Sequence, residues 1–291
     1  MSQAIKSIED STLSVINEHK CFGGTLGYYK HAADTTNCDM QFTVFIPEQA
    51  KTAPVPVLYY LSGLTCTEDN FTTKAGAYRM AAELGIAIIA PDTSPRGDDV
   101  PDDDFWDFGK GAGFYLDATQ EPWSTHYNMY SYVTKELPAL LQDNFPLDLN
   151  RQSIFGHSMG GHGALTIYLK NPSLYKSVSA FSPIVAPMQV DWGQKAFGRY
   201  LGDDQNSWKD YDATELLRRK NISGLPTILI DQGTADTFLE NYLKPELFTA
   251  ACQETGQDLT LRMQDGYDHS YFFIQSFIED HIKHHAKYLG V

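Results

Sequence analysis

The chain has 291 residues, 42% of them hydrophobic, enough for one large core or two ordinary ones. Its formal net charge of -15 has the wrong sign for gathering nucleic-acid phosphates or anionic lipid, which excludes both as expected partners. The opening MSQAIKSIED lacks the basic end and apolar stretch of an export signal, and no apolar run approaches ~20 residues, so a cytoplasmic protein is expected.

Residues 11 to 46 hold β-like pieces, TLSVIN and MQFTVFI among them, separated by turns too short for crossover helices. Adjacent antiparallel strands fit such spacing. From Pro54 the rhythm changes to apolar strand followed by amphipathic helix: VPVLYYL then AYRMAAELG, IAIIAPD then YSYVTKELPALLQDNF, RQSIFGHS then GGHGALTIYLKNP. KSVSAFS, DATELLRRK, PTILIDQG, ELFTAACQETG and DLTLRMQDG continue it, and a last helix is expected from about Tyr271. Continuous apolar strands alternating with helices predict an α/β fold, a mostly parallel central sheet with helices on both faces and an antiparallel beginning.

No repeat, low-complexity tract or linker divides the sequence, so residues 1–291 read as one domain. Two irregular stretches, about 93–125 and 182–211, exceed the usual connection length and are rich in aromatics and glycine. They are expected as insertions roofing an active site. Cys21, Cys38, Cys66 and Cys252 are scattered without a CxxC pair, as free thiols are. Asn70-Phe71-Thr72 and Asn221-Ile222-Ser223 match the glycosylation pattern, which needs a secreted context to count.

Gly156-His157-Ser158-Met159-Gly160 places a serine between glycines, after a strand-like and before a helix-like segment. That context turns a common GxSxG pattern into a nucleophile elbow and makes Ser158 the candidate nucleophile, the alternative being a helix-capping serine in a tight turn. A serine hydroxyl needs a base and a carboxylate to orient it, following in the order acid then histidine. Asp236, just past TILIDQG, and His269, in the loop after DLTLRM, satisfy that order. Asp231 lies within a strand run and reads as structural, while Asp265 and Asp268 crowd His269 too closely in sequence. His157 and His162 are expected to point away from the site, and His281, His284 and His285 read as a hydrated helix face rather than a metal cluster.

Acyl transfer also needs N–H donors aimed at the developing oxyanion. The residue after the nucleophile, Met159, supplies one, and the loop Leu61-Ser62-Gly63-Leu64-Thr65-Cys66 supplies Leu64, with Gly63 allowing close approach. An ordinary glycine turn closing the strand is the alternative for that loop. Gly109-Lys110-Gly111-Ala112-Gly113 lacks the Lys-Ser/Thr of a P-loop, and the acidic run from Asp98 to Asp104 lacks calcium-loop spacing.

Together these stretches resemble the S-formylglutathione hydrolases, also called esterase D, within the α/β-hydrolases. The resemblance rests on SGLTCTEDNF, PRGDD with WDFGKGAGFYLDAT, GHSMGGHGAL, WGQKAFGRYLG, DQGTAD and GYDHSYFFI, in order along nearly the entire chain. It implies hydrolysis of the small-molecule thioester S-formylglutathione to formate and glutathione in formaldehyde detoxification, side activity on short-chain acyl esters, no cofactor or metal, and a homodimer. It places Ser158, Asp236 and His269 as a triad, Leu64 and Met159 at the oxyanion, and Cys66 and Trp192 at the substrate pocket. Val190-Asp191 precede Trp192 where the family often has Cys-Pro, so Trp192 as core packing stays open, as does Cys66 as a small buried hydrophobe. Lys110 or Lys195 is expected to offset the negative charge of glutathione. A broad carboxylesterase and a catalytically silent binding protein are the alternative readings.

Overall fold

The apolar runs read from the sequence form one nine-stranded sheet in a computed structural model that describes residues 13–219 and 224–291. Its strands are β1 (Leu13–Cys21), β2 (Gly24–Ala33), β3 (Cys38–Ile46), β4 (Val55–Leu61), β5 (Ala87–Pro91), β6 (Leu147–His157), β7 (Val178–Phe181), β8 (Ile228–Gly233) and β9 (Leu259–Gln264). They lie in the order β1-β2-β3-β5-β4-β6-β7-β8-β9. The first three strands and the β3/β5 junction pair antiparallel, and every pair from β5 to β9 is parallel. The opening decapeptide and the Asn221 glycosylation pattern lie outside the described residues.

Alternation along β4 shows why its run is apolar throughout. Val57, Tyr59 and Leu61 join the core on one face of the sheet, while Leu58 and Tyr60 join the core on the other. A strand covered on both sides has no face left to be polar. The helices are α1 (Glu68–Lys74), α2 (Tyr78–Leu84), α3 (Met129–Ser131), α4 (Leu137–Asn144), α5 (Met159–Lys170), α6 (Asp191–Leu201), α7 (Gln205–Trp208), α8 (Ala213–Arg219), α9 (Pro245–Thr255) and α10 (Tyr271–Leu289). Residues of α1, α2 and α10 build one core, and residues of α4, α5, α6, α8 and α9 build the other. A π-helical turn, Tyr132–Glu136, joins α3 to α4 where Pro138 removes a backbone donor.

Two expectations need correction. The stretch 182–211 is not irregular: it contains α6, whose Trp192, Ala196, Phe197, Tyr200 and Leu201 recur at helical spacing and are buried. Gly193 and Gly198 disguise it. Gly193 is required because a side chain there would run into the Pro187 carbonyl. Within SGLTCTEDNF, after the loop, Thr67 and Asn70 form a capping box that starts α1.

The histidines of α10 are the second correction. His281 and His285 are fully buried rather than hydrated. His281 bonds Asp231 through Nε2 at 3.2 Å and Ser179 through Nδ1 at 2.8 Å. His285 bonds Ser177 and Ser179 at 2.8 and 2.7 Å, and Ser177 in turn bonds Ser153. Partners on β7, on β8 and just before β7 satisfy polar groups that would otherwise cost several kcal/mol to bury.

Candidate active site

Parallel strands bring their C-terminal ends to one edge of the sheet, and the four segments singled out in the sequence all emerge there. β4 leads into the loop 62–67, β6 into Ser158, β8 into Asp236 and β9 into His269. The chain moves outward to β5 on one side of β4 and to β6 on the other, so the crevice lies at a reversal of strand order, where α/β sheets bind ligands.

Ser158 joins β6 to α5 with φ 58° and ψ -119°, a backbone conformation that L-residues seldom adopt. The flanking glycines allow the turn. A side chain on Gly160 would fall on the Leu61 carbonyl, and one on Gly156 would come within 2.7 Å of the same oxygen. The sharp turn sets the Ser158 hydroxyl at the crevice and the free N–H groups of the first turn of α5 beside it.

Asp236 and His269 approach from the ends of β8 and β9, beyond β7. His269 Nδ1 lies 2.5 Å from Asp236 Oδ2, and Asp236 Oδ1 accepts the Phe238 N–H at 2.9 Å. Burial would raise the Asp236 carboxyl, but the bond and charge of His269 and the Phe238 N–H outweigh it and hold it below the usual range. An ionised carboxylate only accepts, so Nδ1 of His269 donates, and in the neutral ring Nε2 is the acceptor. That tautomer is the one a base for Ser158 requires.

The loop after β4 is held by its own backbone and by distant groups. Thr65 N–H donates to Gly111 O at 2.9 Å, Cys66 N–H to Gly63 O at 3.3 Å, and Arg96 Nη2 to Cys66 O at 3.1 Å while Arg96 Nε pairs with Asp92 at 2.8 Å. The N–H of Leu64 has no acceptor among the described residues. Gly63 lets the loop approach the elbow, since a side chain there would meet Ser158 Cβ at 3.1 Å. Gly111, in the glycine-rich segment that resembles a phosphate loop, is a buttress of this loop instead.

The resulting cavity, about 330 Å³, is lined by Gly63, Leu64, Cys66, Ser158, Trp192 and His269, six of the sequence candidates. Asp236 sits behind His269, and Met159 is buried at the start of α5. Trp192 is pocket wall and core packing at once: it stacks on Tyr242 at 3.9 Å and meets Trp106 edge-on at 5.5 Å. Cys66 is half-buried, and burial pushes its thiol up, so it stands protonated at neutral pH.

Sequence reasoning missed several lining groups. His157 does not point away: its ring packs on His269 at 4.3 Å and forms part of the wall. Burial, then the His269 charge, keep His157 neutral, and neither ring nitrogen has a partner among the described residues. His162 does turn away, toward the Phe114 carbonyl at 3.0 Å. Asn70, Trp106, Phe238 and Tyr271 also line the cavity; the first two and Tyr271 lie in stretches that carry the resemblance, whereas Phe238 carried no signal.

This sheet with a serine elbow and a carboxylate-bound histidine at its strand ends is that of an α/β-hydrolase. The Esterase family model matches residues 33–284. The S-formylglutathione hydrolases of Rattus norvegicus and Bos taurus are 56% and 55% identical to this chain, over 281 and 280 residues, covering 96% of it and 99% of each relative. The solved structure of an S-formylglutathione hydrolase from Agrobacterium tumefaciens is similar at a TM-score of 0.92 and 55% identity, covering 94% of this chain and 99% of that one. The chain belongs to the S-formylglutathione hydrolase family.

Proposed function

We propose that the chain hydrolyses S-formylglutathione to formate and glutathione, the thioester step of formaldehyde detoxification, and cleaves short-chain acyl esters as a side activity. The observation that carries this reading is the meeting of Ser158 and His269, whose Nδ1 is bound by Asp236, at one cavity in a chain 56% identical to an S-formylglutathione hydrolase. His269 Nε2 takes the Ser158 proton as Oγ attacks the formyl carbon. The oxyanion is held by the N–H groups of Leu64 and Met159, and the C–S bond breaks as the proton passes to the leaving sulfur. Water, deprotonated by His269, then attacks the formyl-serine ester and releases formate, returning the proton to Ser158.

The side-chain roles support one another. Asp236 holds the tautomer, Trp192 and Cys66 bound the acyl side of the cavity, and Gly63 keeps the wall open. Residues 1–291 act as one catalytic domain. A homodimer and a cytoplasmic location, both implied by the resemblance, accompany this reading, and the four free cysteines suit a reducing compartment. The test is kcat/KM for S-formylglutathione beside S-acetylglutathione and p-nitrophenyl acetate, without added metal. A strong formyl-thioester preference is expected, together with at least ~10³-fold loss of kcat in Ser158→Ala. Equal rates on all three substrates would move the function to a broad carboxylesterase.

A further inference from the structure

Glutathione brings two carboxylates to a protein of net charge -15, so its recognition calls for a local cation. Three basic groups of the aromatic segments are already engaged, while Lys110 has no ion pair among the described residues and does not line the cavity. Lys195 pairs with Asp107 at 2.6 Å, Arg199 with Asp103 at 2.7 Å and Arg96 with Asp92 at 2.8 Å. Lys195, expected from the sequence to serve glutathione, is spent on holding the 93–125 segment against α6.

Lys74 differs. It ends α1, is exposed, and has no ion pair among the described residues. Asn70, four residues earlier, lines the cavity, and residues four apart share a helix face, so Lys74 extends the same wall outward by one turn. Its Nζ stands 5.8 Å from the centroid of the Tyr271 ring, which also lines the cavity. Asn70 itself is oriented by the capping box, its Oδ1 accepting the Thr67 N–H at 2.9 Å, which turns its acceptor away from any incoming anion. The acidic residues of α1 are turned elsewhere as well: Asp69 accepts the Tyr28 hydroxyl at 2.7 Å, and Glu68 is buried.

We infer that Lys74, with the amide of Asn70 beside it, forms a subsite for a carboxylate of the glutathione leaving group. The inference rests on the glutathione-thioester reading above. With the formyl carbon at Ser158, the tripeptide extends from sulfur along α1 and Tyr271 to the mouth of the cavity. The ammonium meets a carboxylate there and contributes to binding the thioester, not to the chemical step. A solvated lysine serving only the helix dipole is the competing role.

The experiment compares Lys74→Glu, Lys74→Arg and Lys110→Glu with the wild-type protein. Two readouts are taken: the ratio of kcat/KM for S-formylglutathione to that for p-nitrophenyl acetate, which has no carboxylate, and the inhibition constant of S-methylglutathione against p-nitrophenyl acetate hydrolysis. Lys74→Glu is expected to lower the ratio and raise the inhibition constant by about three- to tenfold, with Lys74→Arg close to wild type. Equal effects on both substrates, no effect on either, or the same loss in Lys110→Glu alone would overturn the subsite, as would failure of S-methylglutathione to inhibit the wild type. Turnover of S-formylglutathione by the wild type is read separately and judges the parent reading.

Discussion

His269 donates through Nδ1 to Asp236 Oδ2 across 2.5 Å, and that bond decides which imidazole nitrogen faces Ser158. Asp236→Asn keeps the shape and removes the negative charge. The amide can present its N–H₂ to Nδ1, stabilising the tautomer whose Nε2 carries the proton and cannot accept another. Loss of about 10³- to 10⁴-fold in kcat is expected, with unchanged unfolding by denaturant. A loss below tenfold would show that another group orients the base.

Glycine at 160 serves the elbow and glycine at 198 does not, and alanine at the two positions should therefore act oppositely. At Gly160 an added Cβ falls on the Leu61 carbonyl, backbone that cannot yield without separating β4 from β6. About 3 kcal/mol or more of stability is expected to be lost in Gly160→Ala, with the pocket deformed. At Gly198, inside α6, the nearest atom is Trp208 Cζ2 at 3.9 Å, and the backbone is helical. Gly198→Ala should gain up to about 1 kcal/mol. Denaturant unfolding of the pair checks both signs.

The same contrast explains what the sequence made legible. The elbow shows itself because backbone crowding forces glycine at fixed offsets from Ser158, and the strands because burial on both faces makes their runs apolar. Asp236 and His269 follow from strand order. α6 was hidden because Gly193 answers to the carbonyl of Pro187 in the turn just before the helix, a close approach that helical spacing does not report. His281 and His285 misled because their partners, Ser177, Ser179 and Asp231, lie 50 to 108 residues away. His157 was missed because a turn at positive φ redirects the residue before it, and no spacing rule reports which ring it will meet.

In the proposed reaction Trp192 sets the breadth of the acyl side. Its ring is wedged between Tyr242 at 3.9 Å, Phe238 at 4.9 Å and Trp106 at 5.5 Å, so it has little freedom to swing aside for a longer acyl chain. Trp192→Ala should open the cavity and raise the butyrate-to-acetate ratio of kcat/KM on p-nitrophenyl esters by about tenfold, within the ~1–3 kcal/mol that a methylene commands. Some stability is lost with the buried indole, about 3 kcal/mol. An unchanged ratio would assign the acyl limit to other lining residues.

Asp231 ties acid stability to the buried histidines behind the site. Its carboxylate accepts Arg262 Nε at 2.6 Å and His281 Nε2 at 3.2 Å. Burial would raise it, but His281 and Arg262 outweigh burial and hold it at about 2, against an ordinary 3.8. A carboxyl depressed on folding stabilises the protein above its unfolded pKa, and that stability disappears as pH falls through the folded value. Asp231 thus contributes about 2 kcal/mol at neutral pH, lost between pH 4 and 2. Asp231→Asn should be weaker than wild type by about 3 kcal/mol at pH 7, because Arg262 and His281 lose their partner. The gap between the two proteins should then narrow as pH falls from 4 to 2, read from denaturant unfolding across that range. A gap that stays constant would mean that Asp231 holds α10 and β9 by shape alone.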